Sequence, residues 1–393
     1  MDKNMNMTNC RGSEYPLETA FSGKRVWVSG HTGFKGGWMA SWLLNLGAEV
    51  YGFALEPSTS PALFDQLGLK EHIHHQIGDL RDGALVMQSI LDARPDFVFH
   101  LGAQAIVRTS YVQPVETYMT NVIGTVHVLE ALRKLSSPCA AVLITTDKCY
   151  ENREWLHGYR EEDPLGGYDP YSSSKAGAEI AIASWRRSFF VDHPVRISSV
   201  RAGNVIGGGD WADDRIMPDS IRALEQGRPI PVRNKTSTRP WQHVLDPVSG
   251  YLWLAAVLSE PSLRPFDGNL FASAFNFAPS LESNRTVEEV VGEVLSHWPG
   301  IWEDNSDPDA VHEAKLLNLA RDKAFHLLGW KPVWAFQKAV EATVSWYRRA
   351  DDIRRSQTTM VGMMDFTRSQ IAEYRRDAVG AGLAWSIAKA GGC

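Results

Sequence analysis

Tyr171 and Lys175 stand four residues apart in a run with helical spacing, so their side chains leave one face of the same helix. A phenol beside an ammonium can take a proton from a hydroxyl group, because tyrosine titrates near ~10 and a neighbouring cation favours the phenolate. Upstream, the apolar run VLIT leads into Thr145, Thr146, Asp147 and Lys148, adding a hydroxyl, a carboxyl and a second ammonium at a strand end. Asp147 acts as a general acid only if protonated, and Lys148 as a base only if desolvation or a nearby cation lowers its pKa. A Y-x-x-x-K pair also arises by chance on surface helices, and Lys148 reads equally as a salt-bridged loop residue. The surrounding elements decide between these readings.

Lys24 to Ser29 reads as a buried strand running into Gly30, Gly33 and Gly36, with Thr32 and Phe34 between them, and then into the helical WMASWLLNLG. Strand, glycine turn and helix together form a dinucleotide cradle, since the bare turn lets the backbone approach a pyrophosphate at a helix N-terminus. No Gly-Lys-Ser/Thr follows, which excludes a Walker A loop. The second strand, Glu49 to Leu55, ends without the usual ribose-binding acid; Glu56 is the displaced candidate. Asp79 and Leu80 follow a short third strand, where a side chain can reach an adenine. Further strands at Asp96–His100, 142–145 and Val195–Val200 alternate with helices over Val115–Leu132 and 171–190. The pattern predicts an α/β, Rossmann-type parallel sheet with helices on both faces and ligands at the carboxyl ends of its strands. Boundaries follow composition: a mobile lead-in over 1–22, a cofactor-binding domain over 23–203 with possible later return strands, a smaller mixed substrate-binding domain mainly over 204–350, and a partly helical tail over 351–393.

The chain has 393 residues, 44% hydrophobic and 22% charged, with a formal net charge of -6, which offers little to nucleic acid. Four cysteines, Cys10, Cys139, Cys149 and Cys393, are too scattered for a disulfide scaffold or zinc site, so a reducing cytoplasm is expected. No signal peptide is expected from the first twenty residues, and no apolar run is long enough to span a membrane. His72, His74 and His75 lack an accompanying ligand set, and GGGDWADD lacks EF-hand spacing, so no metal is expected.

On the motifs SGHTGFKGGW, AQAIVRTSY, QPVETYMTNVIGT, TTDKCYENREW, GYREEDPLGGYDPYSSSKAGAE, RAGNVIGGGDWADDRIMPD, RPWQHVLDP and HEAKLLNLARDKAFHLLGWKP, the chain resembles the extended short-chain dehydrogenases/reductases. Within them it resembles the CDP-glucose 4,6-dehydratase branch, over about residues 24 to 347, with FTRSQIAEY similar to that branch's tail. The resemblance implies NAD as cofactor, CDP-glucose or a related nucleotide sugar as substrate, and a homodimer. Tyr171 would be the C4 base, Thr146 would place the C4 hydroxyl, Lys175 would orient cofactor and tyrosine, Asp147 would be the C6 acid and Lys148 the C5 base. Gly30, Thr32, Gly33, Phe34, Gly36, Asp79, Leu80, Ala103 and Gln104 would line the cofactor, with Tyr171 and Lys175. Arg108, Tyr111, Asn204, Arg215, Arg239 and His243 would face the substrate, Arg239 at the diphosphate. A 4-epimerase shares Thr146, Tyr171 and Lys175 but needs no acid/base pair for C6; a silent nucleotide-sugar binder needs none of them.

Overall fold

The structure is a computed structural model that describes residues 16–306, 316–356 and 361–388. His312 to Lys315 of the HEAKLL motif, Cys10 and Cys393, and most of the stretch read for a leader lie outside the described residues. From the N-terminal side, α1 (Pro16–Phe21) precedes β1 (Arg25–Ser29), α2 (Phe34–Asn45) and β2 (Glu49–Ala54). The short α3 (Leu63–Gln66), β3 (His74–Ile77), α4 (Gly83–Ala93) and β4 (Phe97–His100) follow. Then α5 (Val107–Val112), α6 (Pro114–Tyr118) and α7 (Gly124–Leu132) lead to β5 (Cys139–Ile144), α8 (Pro170–Phe189) and β6 (Val195–Ala202).

These six strands pair in parallel in the order β6-β5-β4-β1-β2-β3, the doubly wound arrangement whose ligand crevice lies beyond the strand ends. β5 reads CAAVLI and is buried at every position, as a central parallel strand covered on both faces must be. One face is covered by α4, α7 and α8 over Trp27, Val86, Val128 and Ile182. The other packs on α2 and on a helix from the second half of the chain.

That second half continues through β7 (Val205–Ile206), α9 (Ile216–Glu225), β8 (Ile230–Val232), β9 (Thr238–Pro240), β10 (Gln242–His243) and α10 (Leu245–Ser259). β11 (Ala274–Phe277), β12 (Asn284–Thr286), α11 (Val287–His297), β13 (Trp302–Asp304), α12 (Phe336–Ser356) and α13 (Val361–Gly380) complete it. Two of these elements belong to the first layer. β11 adds a seventh parallel strand beside β6, and α10, buried on every side along Leu245–Leu258, lies against β5 and β6. β11 is thus a later return strand of the kind allowed for in the first domain, and the core beneath that layer continues past residue 203.

Residues 16–22 of the expected lead-in are packed on the sheet, and the tail is helical in part, as expected, over Val361–Gly380. In α1, Leu17 and Phe21 are buried, and the Phe21 ring meets Phe97 with centroids 4.5 Å apart. In the tail, Tyr374 and Trp385 are buried and their rings meet Trp42 of α2. The helix that begins at the glycine turn is thus clamped from behind by the C-terminal residues.

Candidate active site

Strand β5 ends in a single 3-10 turn over Asp147–Cys149, capped by Thr146, whose Oγ1 accepts the Lys148 N–H. The same hydroxyl donates to Asp147 Oδ1 at 2.9 Å and lies close enough to the Tyr171 phenol to pull its pKa down. Helix α8 starts sharply because Asp169 accepts from the Ser172 N–H and hydroxyl, and Pro170 occupies the first helical position. That start puts Tyr171 in the first turn, and one turn later Lys175 reaches the Ile144 carbonyl at 3.4 Å. Thr146, Asp147, Tyr171 and Lys175 are all buried, and Lys148 is half-buried beside them.

Burial dominates the electrostatics. It raises Asp147 above the usual carboxylate range, against the pull of Lys148, the Thr146 hydrogen bond and Lys35. Burial, reinforced by the charge of Lys35, pushes Lys175 down to about 8. Tyr171 goes up to about 12, also through burial, with Thr146 and Arg215 pulling it back. Desolvation of the phenolate is the largest influence on Tyr171, and positive charge beside it, such as that of Arg215, works in the opposite direction. Room for the acid is guarded at Gly203, where a Cβ would come within 2.8 Å of Asp147 Oδ2.

The glycine turn fits a dinucleotide. Gly30 has φ +74° and a Cβ there would strike the Gly102 backbone; a Cβ on Gly36 would lie 2.0 Å from the Gly30 carbonyl oxygen. Gly33 caps α2 without a side chain, leaving the first-turn N–H groups to an anion. Thr32 Oγ1 donates to the Leu55 carbonyl and ties the turn to β2. Phe34 lies against Gly207, and Leu80 against Gly102 and Gly124.

The amino-acid pattern of the GDP-mannose 4,6 dehydratase family matches residues 27–343. The chain belongs to that family. It is 46% identical over 335 residues to a CDP-glucose 4,6-dehydratase from Salmonella typhimurium, covering 84% of this chain and 91% of that one. The fold is shared with a dTDP-glucose 4,6-dehydratase from Bacillus anthracis solved with NAD (TM-score 0.67, 21% identity, 83% of this chain, 97% of that one). It is also shared with an epimerase from Methanothermobacter thermautotrophicus (TM-score 0.71, 22% identity, 87% of this chain, 96% of that one).

Not every residue expected from the resemblance to the family converges on Tyr171. Arg215 does: it is held by Asp210 at 2.7 Å and its charge is felt at the phenol. Asn204 lies half-buried between β6 and β7, its carbonyl accepting from the Gln242 N–H. Arg239 donates to the Thr238 carbonyl on β9. Arg108 and Tyr111 stand exposed on α5. Half-buried Ala103 and Gln104 follow β4, but the Gln104 side chain is occupied with Thr117 and the Ile106 N–H, so it shapes its own loop. Asp79 is forked by Arg81. His243 is not brought to the site. It is fully buried between Trp38 and Trp334, and burial pushes it down to about 3, so it is a neutral packing residue. Of the histidine cluster, His74 pairs with Glu49 and His75 with His31.

Other residues of this family site had weaker signals in the sequence. Lys35, between two of the glycines, is pushed down to about 8 by burial and by Arg215, with Asp147 and Asp210 opposing. Glu179 extends the face of Tyr171 and Lys175 by one more turn, a spacing that could have found it. Its carboxylate accepts from Thr145, Ser199 and Arg201, and Arg201 donates to Tyr150 in turn. Burial alone would raise Glu179; Arg201 holds it below the usual range. This buried pair fixes the β5 end to α8 directly beneath Thr146 and Lys175. Asn121 sits buried in a π-turn over Met119–Ile123 and binds both the Gln104 backbone and Ser174.

Proposed function

We propose that the chain is an NAD-dependent CDP-glucose 4,6-dehydratase, converting CDP-D-glucose to CDP-4-dehydro-6-deoxy-D-glucose and water for deoxysugar biosynthesis. The observation that carries this is the junction at Thr146, whose hydroxyl donates to a buried Asp147 held above the usual carboxylate range and lies beside Tyr171, with Lys148 next in the chain. A 4-epimerase would use the phenol but has no task for the acid. The cytidine base rests on the relative of that name at 46% identity.

NAD bound at the glycine turn supplies the hydride acceptor for C4 and the hydride donor for C6. Tyr171 takes the C4 hydroxyl proton while Thr146 holds that oxygen and Lys175 orients the phenol and the cofactor ribose. The ketone so formed acidifies C5–H, so oxidation precedes elimination. Lys148 removes the C5 proton and Asp147 gives its own to the departing C6 oxygen, releasing water. Lys148 then returns a proton to C5 as hydride is restored to C6. Over one cycle Tyr171 has gained a proton and Asp147 has lost one, and the Thr146 hydroxyl between them is the route that resets both. Arg215 and Arg239 serve the anionic part of the substrate.

We further propose a homodimer through α5–α8, where Val112, Val115, Met119, Ile123 and Ile180 are exposed, and a cytoplasmic location, in keeping with free Cys139 and Cys149. The test is incubation with CDP-, GDP- and UDP-glucose, with loss of water read by mass. Product from CDP-glucose with solvent deuterium at C5 is expected; turnover of another sugar nucleotide and none of CDP-glucose removes the substrate assignment. A Lys148→Ala protein with normal C5 exchange removes the lysine from its role.

A further inference from the structure

Two arginines from opposite sides of the cleft meet on one carboxylate. Arg108 of α5 reaches Asp214 Oδ1 at 2.9 Å, and Arg233, just after β8, reaches the same oxygen at 2.6 Å. Arg108 belongs to the loop-helix after β4, at the cofactor edge of the sheet; Arg233 belongs to the second half of the chain. Asp214 therefore closes a strap across the gap between them. It is also the residue before Arg215, whose charge is felt at Tyr171, so the strap crosses next to the reacting centre.

Three features make it a placeholder and not a fastening. All three side chains are partly exposed, at 66% for Arg108, 48% for Arg233 and 33% for Asp214, and exposed ion pairs contribute little individually. The Asp214 backbone has φ +63°, a left-handed conformation that few residues besides glycine, asparagine and aspartate adopt, so the carboxylate is presented from a tight turn. Arg233 keeps a second carboxylate, Asp219 at 3.3 Å, so its guanidinium stays oriented when Asp214 leaves. The neighbouring charges balance: Arg222 takes Asp213 and Asp219, while Arg215 takes Asp210. Asp214 is the one carboxylate of the group shared by guanidinium groups from both sides.

We propose that Asp214 stands in for the substrate's diphosphate: the nucleoside diphosphate displaces it, and Arg108 and Arg233 close on phosphate oxygens from the two sides. A dianion with several acceptor oxygens outbids a single carboxylate oxygen for two guanidinium forks. Arg233 is then a positioning residue for the substrate, and release of Asp214 frees the loop that carries Arg215. This rests on the nucleotide-sugar reading above, and the probes separate the two.

Asp214→Asn and Asp214→Gly both remove the charge and both tolerate the left-handed backbone, so neither should fail to fold. Titration of each purified protein with CDP, inorganic pyrophosphate and cytidine gives the answer. Both variants should bind CDP and pyrophosphate roughly two- to tenfold more tightly than the parent, the gain shrinking at high salt, with cytidine unmoved. Arg233→Met and Arg108→Met should each weaken CDP and pyrophosphate about tenfold and leave cytidine alone. Unchanged or weaker CDP and pyrophosphate binding by both Asp214 variants overturns the placeholder, as does an arginine variant that weakens cytidine as much as CDP. If CDP fails to bind the parent while pyrophosphate still responds to Asp214, the strap stands and the cytidine assignment falls.

Discussion

Asp147 and Asp246 are both fully buried carboxyl groups, both raised above the ordinary carboxylate range by burial, yet they are built into opposite surroundings. Asp147 ends a strand, with Lys148 and Lys35 pulling its pKa down and Thr146 joining it to Tyr171. Asp246 sits in α10, where Val333 N–H at 2.7 Å and the Tyr374 hydroxyl at 2.8 Å both donate to Oδ1, while Oδ2 has no partner. Burial there pushes it up to about 7, and its hydrogen bonds hold the second half of the chain and the C-terminal helix together. The same desolvation makes an acid that can give up its proton in one place and a clamp that must keep it in the other. What differs is the cations at hand: Lys148 and Lys35 both pull on Asp147, whereas Arg321 is the weakest influence on Asp246, which backbone N–H and phenol donors hold instead.

The sharpest way to separate them is to remove each proton while keeping the shape. Asp147→Asn should reduce formation of the 4-keto-6-deoxy product by about 10²- to 10⁴-fold, the range for loss of a general acid. C4 oxidation should survive and appear as accumulating reduced nicotinamide, with the melting temperature little changed. In the parent, the protonated share of Asp147 falls as pH rises through its elevated pKa, so elimination should weaken on that alkaline side. Near-normal product formation by the variant would take the acid role away from Asp147.

Asp246→Asn should do the reverse. Its folded pKa of about 7 lies above the ordinary aspartate value of 3.8, so its protonated form is the one the fold favours. That contribution is complete below the unfolded pKa, declines as the pH rises, and is gone above about 7, a total of about 4 kcal/mol. Asparagine keeps the accepting oxygen without the charge. The variant should melt higher than the parent near pH ~8 and show a flatter dependence of melting temperature on pH, with activity per folded molecule preserved. A parent and variant with parallel pH profiles would place the titration elsewhere.

This contrast also marks where reading the chain sufficed. Strand, glycine turn and helix, the alternation of elements and the Thr146-Asp147-Lys148 and Tyr171/Lys175 sets were legible because local spacing alone puts them at strand ends. Tertiary packing hid the rest. Nothing near Asp246 in sequence signals that Tyr374 will reach it, and β11 reads as one more short strand until it pairs with β6. Lys35 lay within a motif read for its glycines. His243 misled for the same reason: in RPWQHV it stands close to Arg239, but a residue in the next short strand faces the core and not the cleft. His243→Ala should therefore cost about 2–4 kcal/mol through the cavity between Trp38 and Trp334, with kcat/KM of the folded protein retained. A loss of kcat/KM without a loss of stability would return His243 to the substrate.

The smallest change tests the clamp from its other end. Tyr374→Phe keeps the ring against Trp42 and Trp385 and deletes only the hydroxyl that donates to Asp246. At low pH, where Asp246 is protonated and keeps the Val333 N–H, the loss should be about 1 kcal/mol, the usual net worth of one hydrogen bond. As the pH rises the loss should grow, because a donor stabilises a carboxylate more than a carboxyl group; the Tyr374 bond is one of the influences that lower the Asp246 pKa. The pH at which stability stops falling should therefore move upward in the variant, and combining it with Asp246→Asn should abolish that movement. A pH-independent penalty in the single variant, or one that persists unchanged in the double, would show that Tyr374 supports the fold through its ring alone and that the buried carboxyl is not its partner in titration.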